Sequence, residues 1–141
     1  MSNHASIVSQ LILRKMTRIF LLIAAILAGL AVAGGAFASH ALSSKLSERA
    51  LEIWEMGTRY QMYHALALLL VTVLLSRVEA SSIFLTVAGW SFVVGIVLFS
   101  GSLYVLSLSG VKVLGAVTPL GGLAFLVGWI SLAVAAWSLE F

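Results

Sequence analysis

The sequence predicts an all-α integral membrane protein: four transmembrane helices, with one amphipathic interfacial helix between the first and second. Three observations carry that prediction. Of 141 residues, 62% are hydrophobic and only 9% are charged, against about 45–50% apolar and about 25% charged in a soluble domain. The apolar residues fall into runs close to the ~20 residues that cross a hydrocarbon core. Between the first two runs the chain reads "SSKLSERALEIWEMGT", where charged and apolar residues interleave at helical spacing.

Residues 1–17 form a basic N-terminal segment holding Arg14 and Lys15, and a single membrane domain is expected over 18–141. The first span, about 19–38, is "IFLLIAAILAGLAVAGGAFA", without a charge and preceded by Arg18. Its flank and its "AFA-S" ending also fit a signal peptide cut after Ala38. The run is longer than a typical signal core, and Ala25, Gly29 and Ala33 give it the four-residue small spacing that lets helices approach in lipid. Retention is therefore the reading. In the next stretch Leu46, Ala50, Ile53, Trp54 and Gly57 make one face, with Glu48, Arg49, Glu52 and Glu55 between them. This predicts a helix at about 44–57 lying on the membrane surface. Glu55 precedes Arg59 by four residues, the favourable order for a helical ion pair.

The second span must include polar residues. A helix from Ala65 to Ser76 would be roughly 18 Å long and could not cross. The span is therefore placed at about 58–76, so Arg59, Tyr60, Gln61, Tyr63 and His64 lie within it. Ser81 and Ser82 can cap a third span at about 82–108, with a bend at "SGS", Ser100 to Ser102. Thr118 as N-cap and Pro119 at the first helical position open a fourth span at about 118–137. Gly121, Ala124, Gly128, Ser131 and Ala135 share one face of it, and Trp137 is placed to anchor its end.

Threading these spans puts the embedded polar side chains in one leaflet: His40, Arg59 to His64, Ser100, Ser102, Tyr104 and Thr118. The close-packing positions are Gly29, Gly34, Gly35, Gly101, Pro119, Gly121, Gly122 and Gly128. Basic residues divide evenly across the membrane, and the dense cluster before the first span favours a cytoplasmic N-terminus. Tyr60 and Tyr63 suit an aromatic belt, and Arg59 suits snorkelling to headgroups. His64 suits either a neutral hydrogen bond to a tyrosine or serine, locking the second span to the third, or a proton, ion or cofactor role. With no cysteine, the chain alone supplies no thiolate metal site. Its scattered basic residues do not suit nucleic acid. It carries no phosphate loop, HExxH or nucleophile with a visible base.

Four stretches, taken together, are similar to a known family: "GGAFASHAL" at Gly34–Leu42, "YQMYHALALLLV" at Tyr60–Val71, "LFSGSLYVLSLSG" at Leu98–Gly110, and "LGAVTPLGGLAFLVGW" at Leu114–Trp129. The chain resembles the YgdD/YwdK family (DUF423, UPF0382) of small multi-pass membrane proteins of unknown function. The likeness runs collinearly from about Arg18 to Trp137. The family usually reads "GAFGAHAL"; here Ala38 and Ser39 stand at the second glycine and alanine, leaving His40 in register. The resemblance implies a bacterial inner-membrane protein and points to the same polar positions, but supplies no reaction.

Three functions fit. The leading one is a non-enzymatic accessory, assembly or structural component, packing with itself or another membrane protein in the bilayer. The second is a small carrier or channel with a polar half-site lined by Arg59–His64. The third is haem or metal binding through His40 and His64. No cofactor is predicted outright.

Overall fold

A computed structural model describes residues 2–78 and 82–138 of the chain. They form four helical rods. The first is α1, Ser2–Phe37, which ends in a π-helical turn, Ala38–Leu42. The second is α2, Glu48–Leu75. The third joins α3, Ile83–Gly95, to α4, Gly101–Ser109, through a π-helical segment, Ile96–Ser100. A short 3-10 turn, Lys112–Ala116, leads to the fourth, α5, Thr118–Ser138. The main pairings are α1 with α2 and α3 with α5, and α2 also lies against α3 and α4. Three of the rods are long and apolar enough to cross a membrane: Ile7–Leu42, Ile83–Ser109 and Lys112–Trp137.

Local chemistry sets the helix ends. Ser47, in extended backbone, accepts a hydrogen bond from the Ala50 N–H at 3.3 Å and starts α2. Ser82 does the same for Leu85 at the start of α3. Gly110 closes α4 with φ of 71°, a left-handed conformation that glycine adopts without a Cβ penalty; its N–H bonds the Leu106 carbonyl at 2.9 Å.

Two expected boundaries are corrected. The interfacial helix at about 44–57 is not a separate surface element: α2 runs unbroken from Glu48 through the expected junction at Gly57–Thr58. The cause is tertiary. The Trp54 indole donates to the Gly34 carbonyl at 2.9 Å, and Ser107 Oγ donates to the Ala50 carbonyl at 2.7 Å. Those bonds hold this charged third of α2 upright between α1 and α4. The Glu55–Arg59 ion pair does not form; among the described residues the ion pair is Arg49–Glu52 at 3.1 Å, both side chains exposed. The basic segment before the first span is itself helical from Ser2.

Below the polar residues the core is apolar. Phe20, Leu68, Val71, Leu75, Leu85, Ala88 and Phe92 are fully or almost fully buried. Its rings sit in glycine notches on facing helices. A Cβ on Gly89 would meet the Phe20 ring, on Gly95 the Phe125 ring, and on Gly128 the Phe92 ring, each within 2.6 Å at the nearest atom. Gly121 differs in what it meets, since a Cβ there would lie 2.4 Å from the Phe99 backbone nitrogen in the π segment. The irregular turn expected at Ser100–Ser102 thus lies one turn earlier, where α5 comes closest to the rod.

The packing positions divide accordingly. Gly34, Gly121 and Gly128 sit at close contacts, against Thr58, Phe99 and Phe92. Gly29, Gly35, Gly101 and Gly122 do not: a Cβ on any of them meets nothing within 4 Å. Pro119 is exposed. On α1 the small stripe Ala25, Gly29 and Ala33 faces outward, because the buried face is set by Phe20, Ala24, Ala31 and Ala38. Gly57, Gly89 and Gly95 are the close contacts outside the expected set.

Backbone is harder to displace than a side chain, so Gly121→Ala is expected to destabilise the fold by about 1–3 kcal/mol. Gly122→Ala, in open space on the same helix, is expected to be neutral or to stabilise by up to about 1 kcal/mol through helix propensity. Unfolding of the two variants in the same detergent checks the contrast.

Candidate functional site: a hydrogen-bonded seam along α2

Six side-chain hydrogen bonds join different helices among the described residues, and every one involves α2 or the entry to α5. Two of them, Trp54 to Gly34 and Ser107 to Ala50, hold the first turns of α2; the other four fall in three groups. The first centres on Gln61, which is 5% exposed. The Leu27 carbonyl on α1 can only accept, so Gln61 Nε2 faces it, at 2.8 Å. Oε1 then faces α4, where it accepts from the Tyr104 hydroxyl at 2.9 Å. Tyr104 also packs its ring on Trp54 at 4.6 Å and on the notch of Gly57. One side chain of α2 therefore ties α1 and α4 together.

The second group is His64, also 5% exposed. Its Nδ1 lies 2.8 Å from the Tyr60 carbonyl one turn back, and its Nε2 lies 3.2 Å from Trp129 Nε1 on α5. The carbonyl requires a donor at Nδ1. The indole N–H requires an acceptor at Nε2. Only the neutral ring with its proton on Nδ1 satisfies both. The ring lies flat on Phe125, centroids 3.4 Å apart and planes 6° apart. The expected tyrosine or serine partner on the third rod is thus replaced by a tryptophan on the fourth.

The third group is Ser102 with Thr118, hydroxyls 2.8 Å apart, joining α4 to the start of α5. Ser102 also reaches the Phe99 carbonyl at 2.9 Å, inside the π segment. The expected N-cap hydroxyl of Thr118 therefore serves an interhelical bond. Ser100 is fully buried, and its Oγ has no hydrogen-bond partner.

The remaining expected residues stand apart from the seam. His40 lies exposed in the π turn that ends α1. Arg59 and Tyr63 are exposed on the outer face of α2. Tyr60 is half exposed and stacks on Phe99 at 4.6 Å. Arg59 to His64 therefore do not line one vestibule, as the carrier reading requires. His64 has no open lone pair to offer a haem or metal, and it lies sixteen residues into α2, about 24 Å along the axis from the end that carries His40. Among the described residues no three metal-ligating side chains cluster.

Trp54, Ser107 and Trp129 belong to the seam and were not singled out as polar partners. Two signals mark them. Ser100, Tyr104 and Ser107 follow i, i+4, i+7 spacing and share a face. A tryptophan at mid-span, such as Trp129, needs an acceptor for its N–H. Nitrogen-15 spectra of ring-labelled protein in bilayers test the His64 geometry. One protonated Nδ1 and one unprotonated, hydrogen-bonded Nε2 are expected, and Trp129→Phe should shift the Nε2 signal alone. A mixture of tautomers in the parent protein would refute it.

Comparison with known proteins places this architecture. The chain is 47% identical over 119 residues to the UPF0382 membrane protein YwdK of Bacillus subtilis, covering 84% of this chain and 96% of that protein. A UPF0382 membrane protein of Staphylococcus aureus is 47% identical over 118 residues, covering 84% and 94%. One from Staphylococcus epidermidis is 46% identical over the same length and shares. No solved structure matches. Residues 34–122 match the family described as "Protein of unknown function (DUF423)", a stretch that holds Trp54, Gln61, His64, Ser102, Tyr104 and Thr118. The chain belongs to the DUF423 (UPF0382) family of membrane proteins, whose function is not named.

Proposed function

We propose that this protein is a non-enzymatic packing component of the membrane, built to associate through α1 with a second copy or another membrane protein. The outward stripe of Ala25, Gly29 and Ala33 carries this reading. All three are exposed, and nothing lies within 4 Å of a Cβ built on Gly29. Small residues at this spacing let a second helix approach closely in lipid, where van der Waals contact drives association. The flanking Leu22, Ile26 and Val32 are exposed as well and would supply the rim of that contact.

The seam supports the same reading. Gln61, His64, Tyr104, Ser102 and Thr118 direct their polar atoms at neighbouring helices, which fits structural stitching. We read α2 as a fourth span. It is 28 residues long, about 42 Å, and its lower half shares the apolar core with the three apolar rods. We place the chain in the bacterial inner membrane with the N-terminus cytoplasmic, on the strength of Arg14, Lys15 and Arg18 beside the first span.

The absence of cysteine makes a clean test. A single cysteine at position 29, Gly29→Cys, is expected to form a disulfide-linked dimer or a reproducible heterologous crosslink in native membranes. A cysteine at Leu123, exposed on α5, which is not among the helices paired with α1, serves as control. Equal, weak crosslinking at both positions would count against association through α1.

A further inference from the structure

We propose that Arg14, Arg18 and Arg77 form a binding site for the phosphate of an anionic phospholipid, at the end of the bundle opposite the seam. A cavity of about 570 Å³ lies between α1 and the end of α2. Arg14 and Arg18 enter it from successive turns of α1. Arg77 enters from the residues that follow α2.

Several independent features give the site its chemistry. Its hydroxyls are already occupied: Thr17 Oγ1 donates to the Leu13 carbonyl at 2.9 Å, and Ser76 Oγ donates to the Val73 carbonyl at 2.7 Å. The free donors are therefore the Gln10 amide and the three guanidiniums, which alone carry charge; none of the guanidiniums has an ion-pair partner among the described residues. Glu79 and Glu140, the acidic residues nearest this end in sequence, lie outside the described residues. Planar guanidiniums match phosphate oxygens two at a time, which favours a phosphate over a point-like anion.

The floor selects the source of that phosphate. Leu13, Leu21, Leu75 and Val78 line the cavity behind the arginines. The uncharged run of α1 begins at Ile19, directly after Arg18. The arginines therefore stand where hydrocarbon begins, with an apolar wall continuing toward the bilayer. A hydrated soluble anion gains nothing from that wall. A glycerophospholipid places its phosphate on the arginines and its first acyl carbons on the leucines. Basic pockets between spans recognise anionic headgroups in this way, each basic residue contributing about 1 kcal/mol.

Native mass spectrometry of the delipidated full-length protein tests this, with phosphatidylglycerol and phosphatidylcholine of identical chains as probes. Phosphatidylglycerol should be retained preferentially. Arg77→Gln should weaken its retention about fivefold, the factor that corresponds to one such contact. The triple variant Arg14→Gln, Arg18→Gln, Arg77→Gln should lose the preference, while Lys15→Gln, which does not line the cavity, should keep it. Arg77 lies beyond the helix, so its single variant decides the matter should the triple variant fail to fold. Equal retention of both lipids, or an unchanged preference in Arg77→Gln, would overturn the proposal. Displacement of the lipid by an equal concentration of soluble glycerol phosphate would overturn the lipid assignment in favour of a soluble anion.

Discussion

A buried amide must find its partners within the protein, and Gln61, 5% exposed, sets the arrangement of this protein for that reason. Its nitrogen bonds the Leu27 carbonyl of α1 and its oxygen takes the Tyr104 hydroxyl of α4. An unpaired buried amide costs about 1–3 kcal/mol on the scale of protein mutations. Both neighbours must therefore come within hydrogen-bonding distance at one height on α2. With α1 and α4 fixed there, Trp54 meets Gly34 and Ser107 meets Ala50, about two and three turns back along α2. Gly57 follows as well, since the Tyr104 ring can reach Gln61 only by crossing the α2 backbone where no Cβ stands.

The apolar half obeys a different rule. Its register is set by glycine notches that seat aromatic rings. Phe20, Phe125 and Phe92 each seat on a glycine of a facing helix, and a ring on a notch has one position along the axis. The π segment lies where the two regimes meet. It brings the Phe99 backbone against Gly121 and leaves Ser102 free to bond Thr118. The molecule is thus polar-stitched at one end and ring-packed below it, with unpaired arginines beyond the packed end.

Much of this was legible in the chain. Helix-length arithmetic placed Gln61 and His64 in one helix with the apolar run after them, and α2 runs unbroken through both. The small stripe on α5 follows from spacing alone, and it faces the bundle. The stripe on α1 has the same spacing yet faces outward, since periodicity identifies a face and not its partner. The interfacial helix failed for a related reason. Its amphipathic pattern is real, but the apolar side rests on α1 and α4 through Trp54, Ala50 and Gly57, contacts made by residues 20 to 57 positions away in the chain. His64 was expected to bond a hydroxyl; the ring-on-ring contact with Phe125 and the indole of Trp129 depend on how α5 docks, which no local pattern encodes.

The central claim is that the Gln61–Tyr104 bond holds three helices in register. A double-mutant cycle with Gln61→Leu and Tyr104→Phe, read as unfolding free energy in lipid bicelles, tests it most directly. Hydrogen bonds between membrane helices contribute about 0.6 kcal/mol on average and up to about 1.7 kcal/mol. This one, shielded from solvent and shared among α1, α2 and α4, is expected near the upper value, with each single variant destabilising. A coupling energy indistinguishable from zero would contradict the account, because the two side chains would then be buried side by side without depending on each other.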